Sequence, residues 1–423
     1  MYKWSKYFKL LSVLGLCLVM AISMAGCTSS DEPEGGSGEF DAKSYNVSLT
    51  MPGEGGVAFL GEESTDVRLE ISNTSAYRAS EGTAKFTYTS VYGGDPQSTT
   101  KTFKETDNGA HIVITIPTKT TMAGYWSVDV EISIDGNNLE TVSKGYCVVN
   151  KPQNYGKAAT NEFFGVMGSY DNAPAAQRIG ASIDRPSVYW LFTRQPDGTL
   201  NWNDLDKQLK QCADNNLNVV LLIQPEVLLL GASLPGIEIS SAEDIIRADV
   251  LEAYEAFLRE TVKRYKDKVY AFEVINEPDI NFTLSNNISP EKTGEIVAKV
   301  LALSYNVIKE EAPEKTVLGM SVSEREYFNT SGGKKTSTEY IFDAAKGAKL
   351  ADIFSIHPYP TKWKISETDE YTTPEDFGLH RIIGGGLNYI KTKGFSKAYV
   401  TEIGYGVSPS EPLLSQSRKM QAA

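Results

Sequence analysis

Val269-Tyr-Ala-Phe-Glu-Val-Ile-Asn-Glu-Pro-Asp279 is the stretch that decides how the chain is read. Val269, Phe272, Val274 and Ile275 are β-branched or aromatic and predict a buried strand. Pro278 has no N–H for a sheet ladder, so the strand ends near Asn276 and Glu277. A carboxylic acid is left at the C-terminal end of an apolar strand, which is where chemistry sits in an α/β barrel. Ala398-Tyr-Val-Thr-Glu-Ile-Gly404 repeats the design, with Glu402 closing a short strand.

Around these two stretches the pattern alternates strand and helix, the rhythm of a parallel sheet. Strands are predicted at Phe163–Met167, Ala181–Arg185, Asn218–Ile223, the opening stretch, Thr316–Met320, Ile353–His357 and Ala398–Glu402. Helices are predicted from Ala173, over Asn203–Asn215, Ala242–Tyr265 and Pro290–Glu311, from Glu339, and over Asp376–Lys393. Residues 157–423 therefore read as an α/β chain of the (β/α)8 TIM-barrel class. Seven strands are counted where closure needs eight. The chain is thus expected to stop before strand eight, with unpaired edges that leave the 423 residues by themselves unstable or inactive.

Residues 45–150 differ. Val67-Arg-Leu-Glu-Ile-Ser72, His111-Ile-Val-Ile-Thr-Ile116 and Trp126–Ile134 alternate with period two, and Asp135-Gly136 marks a hairpin turn. Roughly seven short strands in about 100 residues predict an immunoglobulin-like β-sandwich. A spacer role is expected for it. Lys151-Pro-Gln-Asn-Tyr-Gly156 is the linker that follows.

Residues 1–27 read as a processing signal. Lys3, Lys6 and Lys9 precede an apolar run, Leu10–Met20, too short for a membrane span. Ser23-Met-Ala-Gly-Cys27 resembles a bacterial lipoprotein signal, so Cys27 is expected to carry lipid. Residues 28–44 then form an acidic, flexible tether. The expected location is the bacterial outer membrane or cell surface, anchored through that lipid. The formal net charge of −13 argues against nucleic acid as a partner. Cys147 and Cys212 fall in different predicted domains, so no disulfide framework is expected. No Cys/His spacing suggests zinc.

A pair of glutamates at strand ends is the minimum equipment for glycosidic cleavage with retention, which places two carboxyl groups about 5–5.5 Å apart. Asn276-Glu277-Pro278 after the fourth counted strand and Thr401-Glu402-Ile-Gly404 after the seventh make residues 163–423 resemble glycoside hydrolase clan A, including families five and thirty-nine. The resemblance implies Glu277 as acid/base, Glu402 as nucleophile and Asn276 as a ligand of the sugar 2-hydroxyl. It implies that Arg185, ending strand two, holds Glu402 ionised; an internal ion pair with Glu273 is the other reading of this arginine. His357 and Tyr359, in Ser355-Ile-His-Pro-Tyr359, are expected near the nucleophile. Trp190, Trp363 and Tyr405 are candidate sugar-stacking faces, and Trp202 is expected to pack a helix start. No cofactor or metal is implied, since carboxylates carry the mechanism. The implied partner is an oligosaccharide or polysaccharide. A non-catalytic glycan-binding lipoprotein on the same fold is the alternative, and it leaves both glutamates unexplained.

Overall fold

A computed structural model describes residues 38–403, apart from 62–65, 92–93, 109, 118–121, 159–163, 169–171, 196, 226–236, 285, 324–325, 329–332 and 359–386. The predicted signal, Cys27 and most of the tether lie outside the described residues.

The first part of the chain is mainly β. Among the described residues it has nine strands: β1 (Tyr45–Thr50), β2 (Val57–Phe59), β3 (Asp66–Asn73), β4 (Gly82–Ser90), β5 (Gln97–Phe103), β6 (His111–Pro117), β7 (Gly124–Ile134), β8 (Asn137–Asn138) and β9 (Val142–Val149). They form a three-stranded sheet, β1-β3-β6, and a six-stranded sheet, β2-β9-β7-β4-β5 with β8 paired to β7. The alternation that predicted them is the alternation of burial. In β6, Ile112, Ile114 and Ile116 face a core shared with Phe86, Trp126 and Val130. Asp135 and Gly136 both have positive φ, 45° and 80°, the geometry of a two-residue hairpin loop.

The second part is mixed α/β. Its parallel sheet runs β10 (Gly165–Val166), β11 (Ile183–Asp184), β13 (Asn218–Gln224), β14 (Ala271–Val274), β15 (Thr316–Val322), β18 (Ile353–Ile356) and β19 (Ala398–Val400). A short β12 (Ser187–Tyr189) continues the second strand position beyond Pro186 and also pairs with β13. These seven positions follow chain order, as in an opened half-barrel. β13 and β15 are buried over nearly their whole length because both faces are covered. The helices cover one face with apolar stripes, such as Leu205, Leu209 and Cys212 in Asn203–Asp214. Ser289 caps the helix Pro290–Glu311, with Pro290 in its first turn. The opposite face carries Ile183, Val220, Ala271 and Leu318.

Two expectations change, and a third falls partly outside the described residues. The helix expected over Ala242–Tyr265 breaks at Arg247 into a 3-10 turn, Ala242–Ile246, and a helix, Ala248–Tyr265. Arg247 has an extended backbone, and Ser241 with Asp244 caps the first piece independently. A hairpin, β16 (Glu326–Phe328) with β17 (Lys334–Thr336), follows β15 and had no alternation to predict it. The expected helix over Asp376–Lys393 is described only over 387–392. No helix among the described residues is long and apolar enough to cross a membrane.

Arg178 joins the two parts. Its Nε donates to the Val57 carbonyl at 2.6 Å, and its guanidinium lies 3.9 Å from the centre of the Phe59 ring. Cys147 and Cys212 are both free thiols.

Candidate active site

The site is assembled where the sheet strands end. β14 is followed by Ile275, Asn276, Glu277 and Pro278, and this turn is held from several sides. Ile275 N–H still reaches the Ile223 carbonyl at 2.9 Å, as a last rung of the ladder. Asn276 N–H turns to the Gln224 side chain at 3.2 Å. Glu277 N–H donates to the Ser321 carbonyl at 2.9 Å. Asp279, buried, accepts from Ser323 N–H and both the Ser323 and Ser337 hydroxyls. Ile275 and Glu277 have φ of 64° and 41°. A β-branched residue there is strained, at about 1–3 kcal/mol, and persists only because the surroundings impose it.

Arg185 is the centre of the cluster and is 4% exposed. Each of its three nitrogens donates to a partner. Nε donates to Glu273 Oε2. Nη1 donates to Glu402 Oε2 at 3.0 Å and to Met167 Sδ at 3.3 Å. Nη2 donates to Asn276 Oδ1 at 3.0 Å and faces His357 Nε2 at 3.3 Å. Arg185 pairs internally with Glu273 and also reaches Glu402 with another edge of the same plane. His357 spans the two glutamates. Its Nδ1 lies 3.2 Å from Glu277 Oε1 and 3.9 Å from Glu402 Oε2, and its Nε2 faces Thr401 Oγ1 at 3.1 Å.

Oxygens of Glu277 and Glu402 and a His357 ring nitrogen all lie within 4.8 Å of one another. The two glutamate side chains keep 16% and 14% exposure, whereas His357 and Glu273 have none. The pair thus keeps partial exposure above a closed polar floor. Glu277, His357 and Glu402 are also, among the described residues, the group able to hold a metal ion.

Glu273 belongs to that floor. It shares its strand face with Ala271, next to Val220 and Leu318, so it points into the concave interior. Burial alone would raise its carboxyl. The Arg185 charge and hydrogen bonds from Arg185 and Ser321 outweigh that and hold it below the ordinary carboxylate range. Thr401 Oγ1 also donates to Glu273 Oε1, at 2.7 Å.

A buried pair of this kind is weak support for stability as such, because desolvation offsets the attraction; leaving one partner alone is what costs. Arg185→Met is expected to destabilise the fold by about 3–5 kcal/mol. The double change Arg185→Met with Glu273→Met is expected to lie much closer to the starting protein. Urea unfolding of the two variants checks this.

The structure brings together Arg185, Asn276, Glu277, His357 and Glu402. It does not bring Trp190 to them. That ring is buried in the turn Trp190–Thr193, 5.5 Å from the Tyr254 ring and 6.2 Å from the Phe257 ring. The expectation of a sugar-stacking face there is corrected: the large apolar ring is taken up by the helix behind it. The exposed ring of that turn is Phe192, edge-on to Tyr189 at 5.5 Å. Trp202 packs on Phe257. Tyr359, Trp363 and Tyr405 lie outside the described residues. Sequence reading missed Met167, Ser321 and Thr401, since small polar or sulfur side chains in apolar strands carry no signal of what they face.

No protein-family model matches the chain. Among curated proteins, mannan endo-1,4-beta-mannosidase 1 of Arabidopsis thaliana is 29% identical over 126 residues, 29% of this chain and 30% of that protein. The match thus spans less than a third of the relative's length. Among solved structures, a family 39 glycoside hydrolase from the gut symbiont Bacteroides cellulosilyticus superposes with a TM-score of 0.52 at 16% identity. It covers 88% of this chain and 71% of that one. At that identity the likeness is one of fold alone.

Proposed function

We propose that the protein is a retaining glycoside hydrolase acting on β-glycosidic bonds of an oligosaccharide or polysaccharide. The observation that carries this reading is the close approach of Glu277 and Glu402, within 4.8 Å, at the ends of two strands of one sheet. That approach suits the 5–5.5 Å carboxyl spacing of double displacement better than the wider gap that leaves room for a water in inverting enzymes.

In the first half-reaction Glu402 Oε attacks the anomeric carbon. The bond from that carbon to the glycosidic oxygen breaks, and Glu277 gives the oxygen its proton. In the second, Glu277 takes a proton from water, and the resulting hydroxide displaces Glu402 from the sugar. Two inversions leave the β configuration unchanged. Arg185 holds the Glu402 carboxylate through Nη1, and Asn276, held by Arg185 Nη2, is read as the group that bonds the sugar 2-hydroxyl.

The wider reading goes with it. The half-barrel sheet is read as part of a (β/α)8 barrel over residues 157–423, and the two β-sheets of residues 45–150 as an immunoglobulin-like spacer. Lipid on Cys27 would hold both at a bacterial surface. The mannosidase relative makes β-mannosides the first substrates to try, with β-glucosides, β-xylosides and the corresponding glycans beside them.

The test is hydrolysis of this panel by the full-length protein, with proton NMR of the product in the first minutes. The expected result is release of the β anomer first, followed by mutarotation. Initial release of the α anomer would overturn the double-displacement reading. Binding of glycans without any cleavage would overturn the hydrolase reading altogether.

A further inference from the structure

We infer that Ser321, a buried residue of β15, is a positioning residue shared by both glutamates of the site; this rests on the reading of Glu277 and Glu402 above.

Ser321 sits in a break of the β15–β18 register. Met320 pairs with Ser355 and Val322 with Ile356, so Ser321 is the extra residue of a bulge. Met320 and Ser321 have φ of 87° and 45°, in the region that favours glycine. A regular strand would aim Ser321 N–H and C=O at neighbouring ladders. Here the freed N–H reaches the Ser355 hydroxyl at 3.2 Å. The freed carbonyl accepts Glu277 N–H at 2.9 Å, which fixes the backbone of the acid/base residue. The hydroxyl donates to Glu273 Oε1 at 2.7 Å. The other oxygen of Glu273 holds Arg185 Nε, and Arg185 Nη1 holds Glu402. One bulged residue is therefore a common reference for both carboxylates: by one hydrogen bond to Glu277, and by a chain of three to Glu402.

The two arms are chemically separable. Ser321→Gly deletes the hydroxyl, keeps the carbonyl and accepts the positive φ without strain. The Glu402 arm loses its Ser321 anchor, leaving Glu273 Oε1 to Thr401 alone, while the Glu277 arm stays. The expected result is a kcat about 10-fold lower with KM unchanged, as for loss of one coupled hydrogen bond. The loss should be equal for dinitrophenyl and phenyl glycosides, because the proton donor is untouched. In a Glu273→Gln background, Ser321→Gly should add less than about a further 2-fold, since both changes cut the same chain. Ser321→Ala reports the same losses should glycine loosen the strand.

A second readout needs no turnover. The Arg185 Nε–H, buried against Glu273, should exchange with solvent slowly in nitrogen-15 spectra, and about 10-fold faster in Ser321→Gly. Unchanged kcat and unchanged exchange in the variant, or Ser321 and Glu273 effects that multiply, would overturn the positioning role. Faster exchange in a protein that hydrolyses no glycoside would leave the hydrogen-bond chain standing and remove the glycosidase reading instead.

Discussion

Glu402→Ala is expected to lower turnover of aryl β-glycosides by about 100,000-fold, the scale of losing a covalent nucleophile. The residual protein should still fold. Glu402 is partly exposed and is one of several acceptors on Arg185, so its removal leaves Glu273 paired. Alanine also leaves a hole beneath the anomeric carbon. Azide is small enough to enter it and attack that carbon directly. Turnover of an activated substrate should therefore return with azide, and the product should be the α-glycosyl azide, from a single inversion. A variant that loses activity without azide rescue would place the nucleophile elsewhere. One that keeps full activity would remove Glu402 from the chemistry.

Glu277→Ala gives the complementary pattern. Removing a positioned proton donor costs about 100- to 10,000-fold where the leaving oxygen needs the proton. Phenyl glycosides and natural glycans are in that class. A dinitrophenyl leaving group departs as a stable anion, so its first half-reaction should be nearly unimpaired. The second half-reaction then becomes slow, because no base activates water, and the glycosyl-enzyme should accumulate as a burst. Azide should relieve that block without needing a base. Its product should be the β-glycosyl azide, since Glu402 has already inverted the centre once. Opposite azide anomers from the two alanine variants would assign both roles. Equal losses on good and poor leaving groups would argue that Glu277 supports the site without donating a proton.

Much of the arrangement was written in local pattern. The apolar run into Asn276-Glu277-Pro278 and the shorter run into Thr401-Glu402 placed the carboxylates at strand ends, because Pro278 and the change to polar residues terminate strands whatever surrounds them. The order of seven parallel positions followed from the strand-helix rhythm. Period-two burial in β6 and β7 and the Asp135-Gly136 turn were legible for the same local reason. Trp190 misled because a tryptophan in a short turn carries no mark of which side it faces. Packing against Tyr254 and Phe257, more than 60 residues away in sequence, decided that.

By itself, then, the sequence determined which acids end strands, in what order the strands come, and which stretches alternate. Only the tertiary structure decided how those acids are held. Arg185 meets Glu273, Asn276, His357 and Glu402 because four strand positions converge on one interior. Ser321 joins them through a bulge with positive φ at residues that are not glycine. Such a backbone is unfavourable locally and is imposed by neighbours, and a hydrogen bond between residues 48 or 217 apart depends on geometry that no local periodicity encodes.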